Sequence, residues 1–133
     1  MPGREKERIV RKIFEALDRH DVDDYLDYFA DYVVYVDADG NNVGKEGVRK
    51  EIVGLLESFP DLRVRVDHMV SRFDIVWVEW TAKGTHRRDL PGMPVTNKTF
   101  ETQAVWICVI KSGKVKIWKV YCNPNRLIHE LSE

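Results

Sequence analysis

Between Leu62 and Cys122, four stretches in succession carry strand-type side chains, and that succession limits the fold more than any other feature. Leu62–Val70 alternates. Leu62, Val64, Val66, His68 and Val70 fall on one face, and Arg63, Arg65, Asp67 and Met69 on the other. Ile75–Lys83, Thr99–Ile110 and Lys114–Cys122 are rich in β-branched and aromatic residues. Arg72-Phe73-Asp74 and Lys111-Ser112-Gly113 read as turns. The connection Gly84–Lys98 holds two prolines and two glycines and is too long for a tight hairpin, so it must leave the sheet and return.

The residues ahead of this run are mostly helical. Ile9, Val10, Ile13, Phe14 and Leu17 recur at three- and four-residue steps within 4–19. Asp21 is placed to cap a second, short helix carrying Tyr25, Leu26, Tyr28 and Phe29. Tyr32–Val36 is a first strand, ending in the turn-forming run Asp37-Ala38-Asp39-Gly40-Asn41-Asn42. Lys45–Ser58 is a third helix, stopped by Pro60. Asn123-Pro124-Asn125 breaks the last strand before a short helical tail, Arg126–Leu131. Helices followed by consecutive strands mean an α+β domain spanning 1–133: a curved antiparallel sheet wrapped around N-terminal helices, a cone with an internal pocket.

Bulk composition narrows the function. The 21 basic and 22 acidic residues nearly cancel, which argues against nucleic acid as a partner. No apolar run approaches the roughly 20 residues of a membrane span. The charged start MPGREKERIVRK lacks the apolar core of a secretory signal, so a cytoplasmic location is expected. Cys108 and Cys122 read as reduced, small core residues. The four histidines are scattered and no CxxC or HExxH occurs, so a metal site is not expected.

The long connection, read as GTHRRDLPGMPVTNK, carries a resemblance. Gly84, Thr85, His86, Asp89, Leu90, Pro91, Gly92, Thr96 and Lys98 fall in the order found in the SnoaL-like polyketide cyclases. Phe59-Pro60-Asp61-Leu62 is similar to the family's strand entry, and Gly113-Lys114-Val115 to its Gly-Lys-Ile turn. The resemblance implies the cone shared with nuclear transport factor, ketosteroid isomerase, scytalone dehydratase and limonene epoxide hydrolase, a fold that hosts enzymes and binding modules alike. It also implies a pocket for a small, largely apolar, oxygen-bearing ring compound and cofactor-independent acid/base chemistry at a carbonyl.

Such chemistry needs an acid, a base or a histidine inside an apolar pocket, where burial moves a carboxyl toward neutrality. Asp37, at the end of the first strand, has a place comparable to the proton-shuttling Asp of ketosteroid isomerase; turn capping is its other reading. His86 ends the Val76, Val78, Trp80 face, either as a catalytic group or as a tie for the long loop. His68 is a candidate on its apolar face, and Glu79 is read as facing solvent or a subunit interface. Trp80, Trp106 and Tyr121 are candidate pocket walls. Asn123 has the spacing to Leu127-Ile128 and Leu131 that the family's acid/base Asp has to its own leucines. An amide there can hold a ligand oxygen but cannot take its proton. That leaves Asp37 and His86 as the proton-transfer candidates, with a non-catalytic ligand-binding domain as the alternative. Both faces of Thr99–Ile110 are apolar, so one should meet the helices and the other a second subunit, giving a homodimer.

Overall fold

The computed structural model describes residues 2–36, 40, 42–88 and 95–122. Its elements are α1 (Pro2–Asp18), α2 (Val22–Asp27), β1 (Phe29–Val36), α3 (Gly44–Ser58), β2 (Arg63–Arg72), β3 (Ile75–Thr85), β4 (Thr99–Lys111) and β5 (Lys114–Cys122). Three helices cover one face of a five-stranded sheet of order β1-β5-β4-β3-β2. The antiparallel expectation holds from β2 to β5. β1 differs, running parallel to β5 and making the sheet mixed. Its position follows from connectivity: α3 crosses over between β1 and β2, which stand at opposite edges. The parallel pair β1 and β5 is joined through α3 and the strands β2 to β4, a connection far longer than a hairpin, as a parallel pair needs.

Local chemistry sets the boundaries. Val10, Ile13, Phe14 and Leu17 bury one stripe of α1, as the periodicity predicts. Beyond the end of α1 the chain turns at His20, whose φ of 64° is left-handed, and His20 Nε2 donates to the Leu62 carbonyl at 2.7 Å. Asp21 caps α2 as expected, its carboxylate accepting from the Asp24 amide at 3.1 Å. Ser112 and Gly113 both take positive φ between β4 and β5, the requirement of a two-residue hairpin of mirror-image type.

One strand departs from simple alternation. In β2, Val66 pairs with Trp80, but His68, not Asp67, pairs with Glu79. Asp67 is the extra residue of a β-bulge, which reverses the inside–outside parity beyond it. Asp67 accepts from the Thr81 hydroxyl and from Arg65 Nε, the latter at 2.8 Å, and so holds the bulge in place. Met69 and Ser71 therefore turn inward, Ser71 donating to Glu7 of α1 at 2.5 Å, while His68 and Val70 turn outward. The sequence expectation that His68 shares the face of Val64 and Val66 is corrected by this one inserted residue.

The core lies between the helices and the inner sheet face. Its centre is aromatic. Phe14 of α1 stacks on Trp106 at 4.5 Å between ring centroids, Trp80 and Trp118 flank Trp106 at 4.9 and 4.1 Å, and Phe29 meets Trp118 at 4.8 Å. Cys108 is buried and free, and burial pushes its thiol well above the usual range. Cys122's side chain and the tail 123–133 lie outside the described residues.

Candidate functional site

The segment that suggested the family is, in the structure, a clamp. Thr85 is the last residue of β3. Its amide and its hydroxyl both donate to Asp61, one to each carboxylate oxygen, at 2.7 Å. The hydroxyl bond, followed by the amide bond, holds the Asp61 carboxyl below the usual carboxylate range. Two motifs 24 residues apart are thus one hydrogen-bonded unit. Gly84 stands where a Cβ would come within 3.2 Å of the Phe59 Cβ and 3.4 Å of the Phe100 ring, so a side chain would press on Phe59. Phe59 and Phe100 pack at 4.6 Å, closing the inner face at this end.

His86 continues the clamp and is fully buried. Its amide donates to the Lys98 carbonyl at 2.9 Å, and its carbonyl accepts from the Asn97 amide at 3.0 Å. The imidazole Nδ1 accepts from the Thr96 amide at 3.3 Å and lies 3.1 Å from the Thr96 hydroxyl. An amide N–H only donates, so Nδ1 is the acceptor and the neutral ring carries its hydrogen on Nε2. That Nε2 has no hydrogen-bond partner among the described residues. The Arg87 amide donates to the Ser58 carbonyl at 2.8 Å, satisfying an orphan carbonyl at the end of α3. Arg87 and Arg88 reach Asn97 and Glu57, at 3.1 and 3.0 Å, on the surface. The loop-tying reading of His86 has direct geometric support.

The inner face of β3, β4 and β5 has a different character. The strand ladders place Val76, Val78, Trp80, Ala82 and Gly84 beside Phe100, Thr102, Ala104, Trp106 and Cys108. None of these residues is charged. Trp80, Trp106 and Trp118 are 8, 4 and 0% exposed, and their indole nitrogens have no hydrogen-bond partner among the described residues. Trp118 joins this band through the pairing of β5 with β4, a strand register that the sequence does not show.

The remaining candidates separate. Trp80 and Trp106 come together as expected. His86 lies six residues beyond Trp80 on the same face, roughly 20 Å along the strand at about 3.3 Å per residue. His68 is on the outer face, its side chain 82% exposed and Nδ1 3.0 Å from Glu79. Glu79 also faces outward, in line with the sequence reading. Tyr121 pairs with Val105 on that outer face and is 54% exposed, so it is not a wall of the inner face. The alternation of β5 turns it away from Trp118 and Val120. Asp37 and Asn123 lie outside the described residues. The internal pocket expected from the sequence is likewise not delimited by the described residues. The larger described cleft, about 630 Å³, lies at the clamp end and is lined by Asp61, Arg63, Lys83, Thr85 and Glu101 among others, a charged and open surface. Among the described residues, no three His, Cys, Asp or Glu side chains cluster as metal ligands would.

A mixed five-stranded sheet backed by three helices, with an uncharged aromatic inner face, defines the nuclear-transport-factor-like α+β cone. Solved structures bear this out. AclR from Streptomyces galilaeus, proposed to be a hydroxylase, superposes with a TM-score of 0.88 at 23% identity over 96% of each chain. IdmH from Streptomyces antibioticus, proposed to be a polyketide cyclase, gives 0.86 at 19% identity over 96% of this chain and 99% of its own. A proposed SnoaL-like polyketide cyclase from Jannaschia sp. CCS1 gives 0.89 at 18% identity over 98% and 93%. A search of curated proteins finds no match. The chain belongs to the SnoaL-like polyketide cyclase family, whose model matches residues 7–131. Among the described residues, no helix is long and apolar enough to cross a membrane.

Proposed function

We propose that the cone takes a small, largely apolar ring compound bearing one or two oxygens and moves a proton next to its carbonyl without a cofactor. The observation that carries this reading is the absence of charge along the inner face of β3 and β4, with three indoles set into the inner sheet face. Such a surface favours an uncharged aromatic guest over a nucleotide or a peptide. It also desolvates a carboxyl placed at its rim and moves that group toward neutrality, as proton transfer requires.

Asp37 is the proton-transfer group in this reading, directly after Val36 at the end of β1. His86 is assigned to the clamp, since Nδ1 is occupied by Thr96 and Nε2 already carries a hydrogen. Asn123, where the family resemblance places an acid/base Asp, would hold a ligand oxygen. The test is exchange of the α-hydrogens of 2-tetralone in D2O, followed by NMR. Asp37→Asn should slow exchange roughly 10²–10⁴-fold. A variant within about threefold of wild type, far short of that range, overturns the assignment. If wild-type protein binds the ketone but catalyses no exchange, the second reading, a non-catalytic binding domain, stands; Asn123 is the residue that favours it.

A second copy of the chain is proposed to cover the outer sheet face. There His68, Glu79, Val105 and Tyr121 form one row across four strands, and Val70, Trp77 and Ile107 the next. Val70 and Tyr121 are more than half exposed in the single chain. Sedimentation at micromolar concentration should give twice the 15.6 kDa chain mass. A single-chain species throughout would overturn the dimer.

A further inference from the structure

We infer that the indole N–H groups of Trp80 and Trp106, backed by Trp118, are hydrogen-bond donors to an oxygen of the bound compound, so that the inner face selects acceptor-bearing rings over plain hydrocarbons. The inference rests on the pocket reading above and goes further by naming the groups that read the ligand and the chemistry they read.

An indole nitrogen can only donate. A buried donor left unpaired costs about 1–3 kcal/mol. Most buried side-chain polar atoms are accordingly paired. Here three such donors lie within one contiguous band, with ring centroids 4.9 and 4.1 Å apart, and none has an acceptor among the described residues. The neighbouring inward side chains offer few. Thr102 and Tyr35, the latter paired with Trp118, hold hydroxyls, Cys108 holds a thiol that burial keeps protonated, and the other partners in these rows are aliphatic or aromatic. Exposure falls from Trp80 to Trp106 to Trp118, which makes Trp118 the deepest of the three and Trp80 the nearest to the surface.

The strand register adds a second observation. On the inner face, the rows from the indoles toward the clamp are Val78 with Trp106, Trp80 with Ala104, Ala82 with Thr102, and Gly84 with Phe100. Bulky rings thus stand at both ends, and Ala82, Ala104 and Thr102 lie between them. This is the stretch of inner face with the least side-chain height. α1 lies chiefly along β2 and α3 along β1, but Phe14 of α1 reaches over Trp106 and Trp80, so a ring on this strip would lie beside Phe14. A flat ring resting on the small side chains would be edged by Trp80 and Trp106. The polarity of the band is one-sided: donors, no anion and no cation. It therefore fits a ketone, quinone or enol oxygen, which accepts from the indole N–H groups.

The test uses the full-length protein with 15N-labelled tryptophan and two probes of one shape, 1-tetralone and tetralin, which differ in the carbonyl. The inference expects 1-tetralone to bind at least fivefold more tightly and to move the indole proton resonances of Trp80 or Trp106 downfield, while the outward-facing Trp77 stays fixed. Trp106→Phe and Trp80→Phe keep an aromatic ring and remove the donor, and Trp106→Phe at least should bring the two affinities to within about twofold. Equal binding of both probes with no downfield movement overturns the inference and leaves the pocket reading intact. Failure of both probes to bind overturns the pocket reading and the inference with it. Indole protons lying upfield in the free protein and unmoved by bound ketone would show that the N–H groups point at neighbouring rings, and that outcome also overturns the inference. Because the folded fraction of each variant is read in the same spectrum, loss of folding is separated from loss of selectivity.

Discussion

The clamp at the end of β3 and the indole band in the middle of the sheet lie on one continuous face, yet they treat hydrogen bonds in opposite ways. In the clamp the donors are matched, the His86 Nε2–H excepted. Thr85 is paired to Asp61, Thr96 to the His86 ring, and the His86 backbone to Asn97 and Lys98. In the band, three donors are buried with no acceptor among the described residues. Matched groups fix a backbone, and unmatched ones store a preference for whatever completes them. The stretch that most resembles the family is therefore the one that shapes the loop. The chemistry that could recognise a ligand sits where the sequence shows only tryptophans in strands.

That contrast predicts a graded series. His86→Ala should have the largest effect on stability, about 2–4 kcal/mol, because it empties a fully buried ring position against Phe59 and strips the Thr96 amide of its acceptor. Urea unfolding would show it as a shift of the midpoint. Asp61→Ala should cost about 1–2 kcal/mol through two lost charge-assisted bonds at a solvent-accessible site. Its pH dependence has a definite sign. The folded-state carboxyl lies below its unfolded value, so its contribution is complete above the unfolded carboxylate range and is lost as pH falls through the folded value. The gap between wild type and Asp61→Ala should accordingly close in acid; a gap that widened in acid would break the clamp account.

Trp106→Phe should disturb the ligand-free protein less than its burial suggests, by about 1 kcal/mol, since the lost contact area is offset by removal of an unpaired donor. A loss of 3 kcal/mol or more, the scale of ring loss in a core, would mean that the N–H has a strong partner in the protein. The smallest effect belongs to the outer face. The His68–Glu79 contact is exposed, and His68→Ala should change single-chain stability by no more than about 0.5 kcal/mol.

Much of this architecture could be read in the sequence. Apolar spacing gave α1 and α3, the Asp21 cap was visible, and the strand segments were found to within a few residues, because each rests on local patterns. Register was the limit. The Asp67 bulge inverts the parity of β2, and no local property of Val66-Asp67-His68 announces it, so His68 was assigned to the wrong face. The parallel joining of β1 to β5 is a long-range fact of the same kind. The Asp61–Thr85 bond links two motifs that the sequence showed only as separate resemblances. Of the site residues, Trp80 and Trp106 were legible as inner-face aromatics, whereas the state of their N–H groups depends on neighbours from three strands.

The account stands most directly on one comparison, the affinity for 1-tetralone of Thr85→Val against that of Trp106→Phe, measured by NMR titration where both variants are folded. Thr85→Val loosens the clamp and should leave the dissociation constant within about twofold of wild type. Trp106→Phe should raise it at least fivefold, the equivalent of about 1 kcal/mol for one lost hydrogen bond. The reverse pattern, weakened binding with Thr85→Val and unchanged binding with Trp106→Phe, would place ligand recognition in the signature segment and contradict the division drawn between clamp and band.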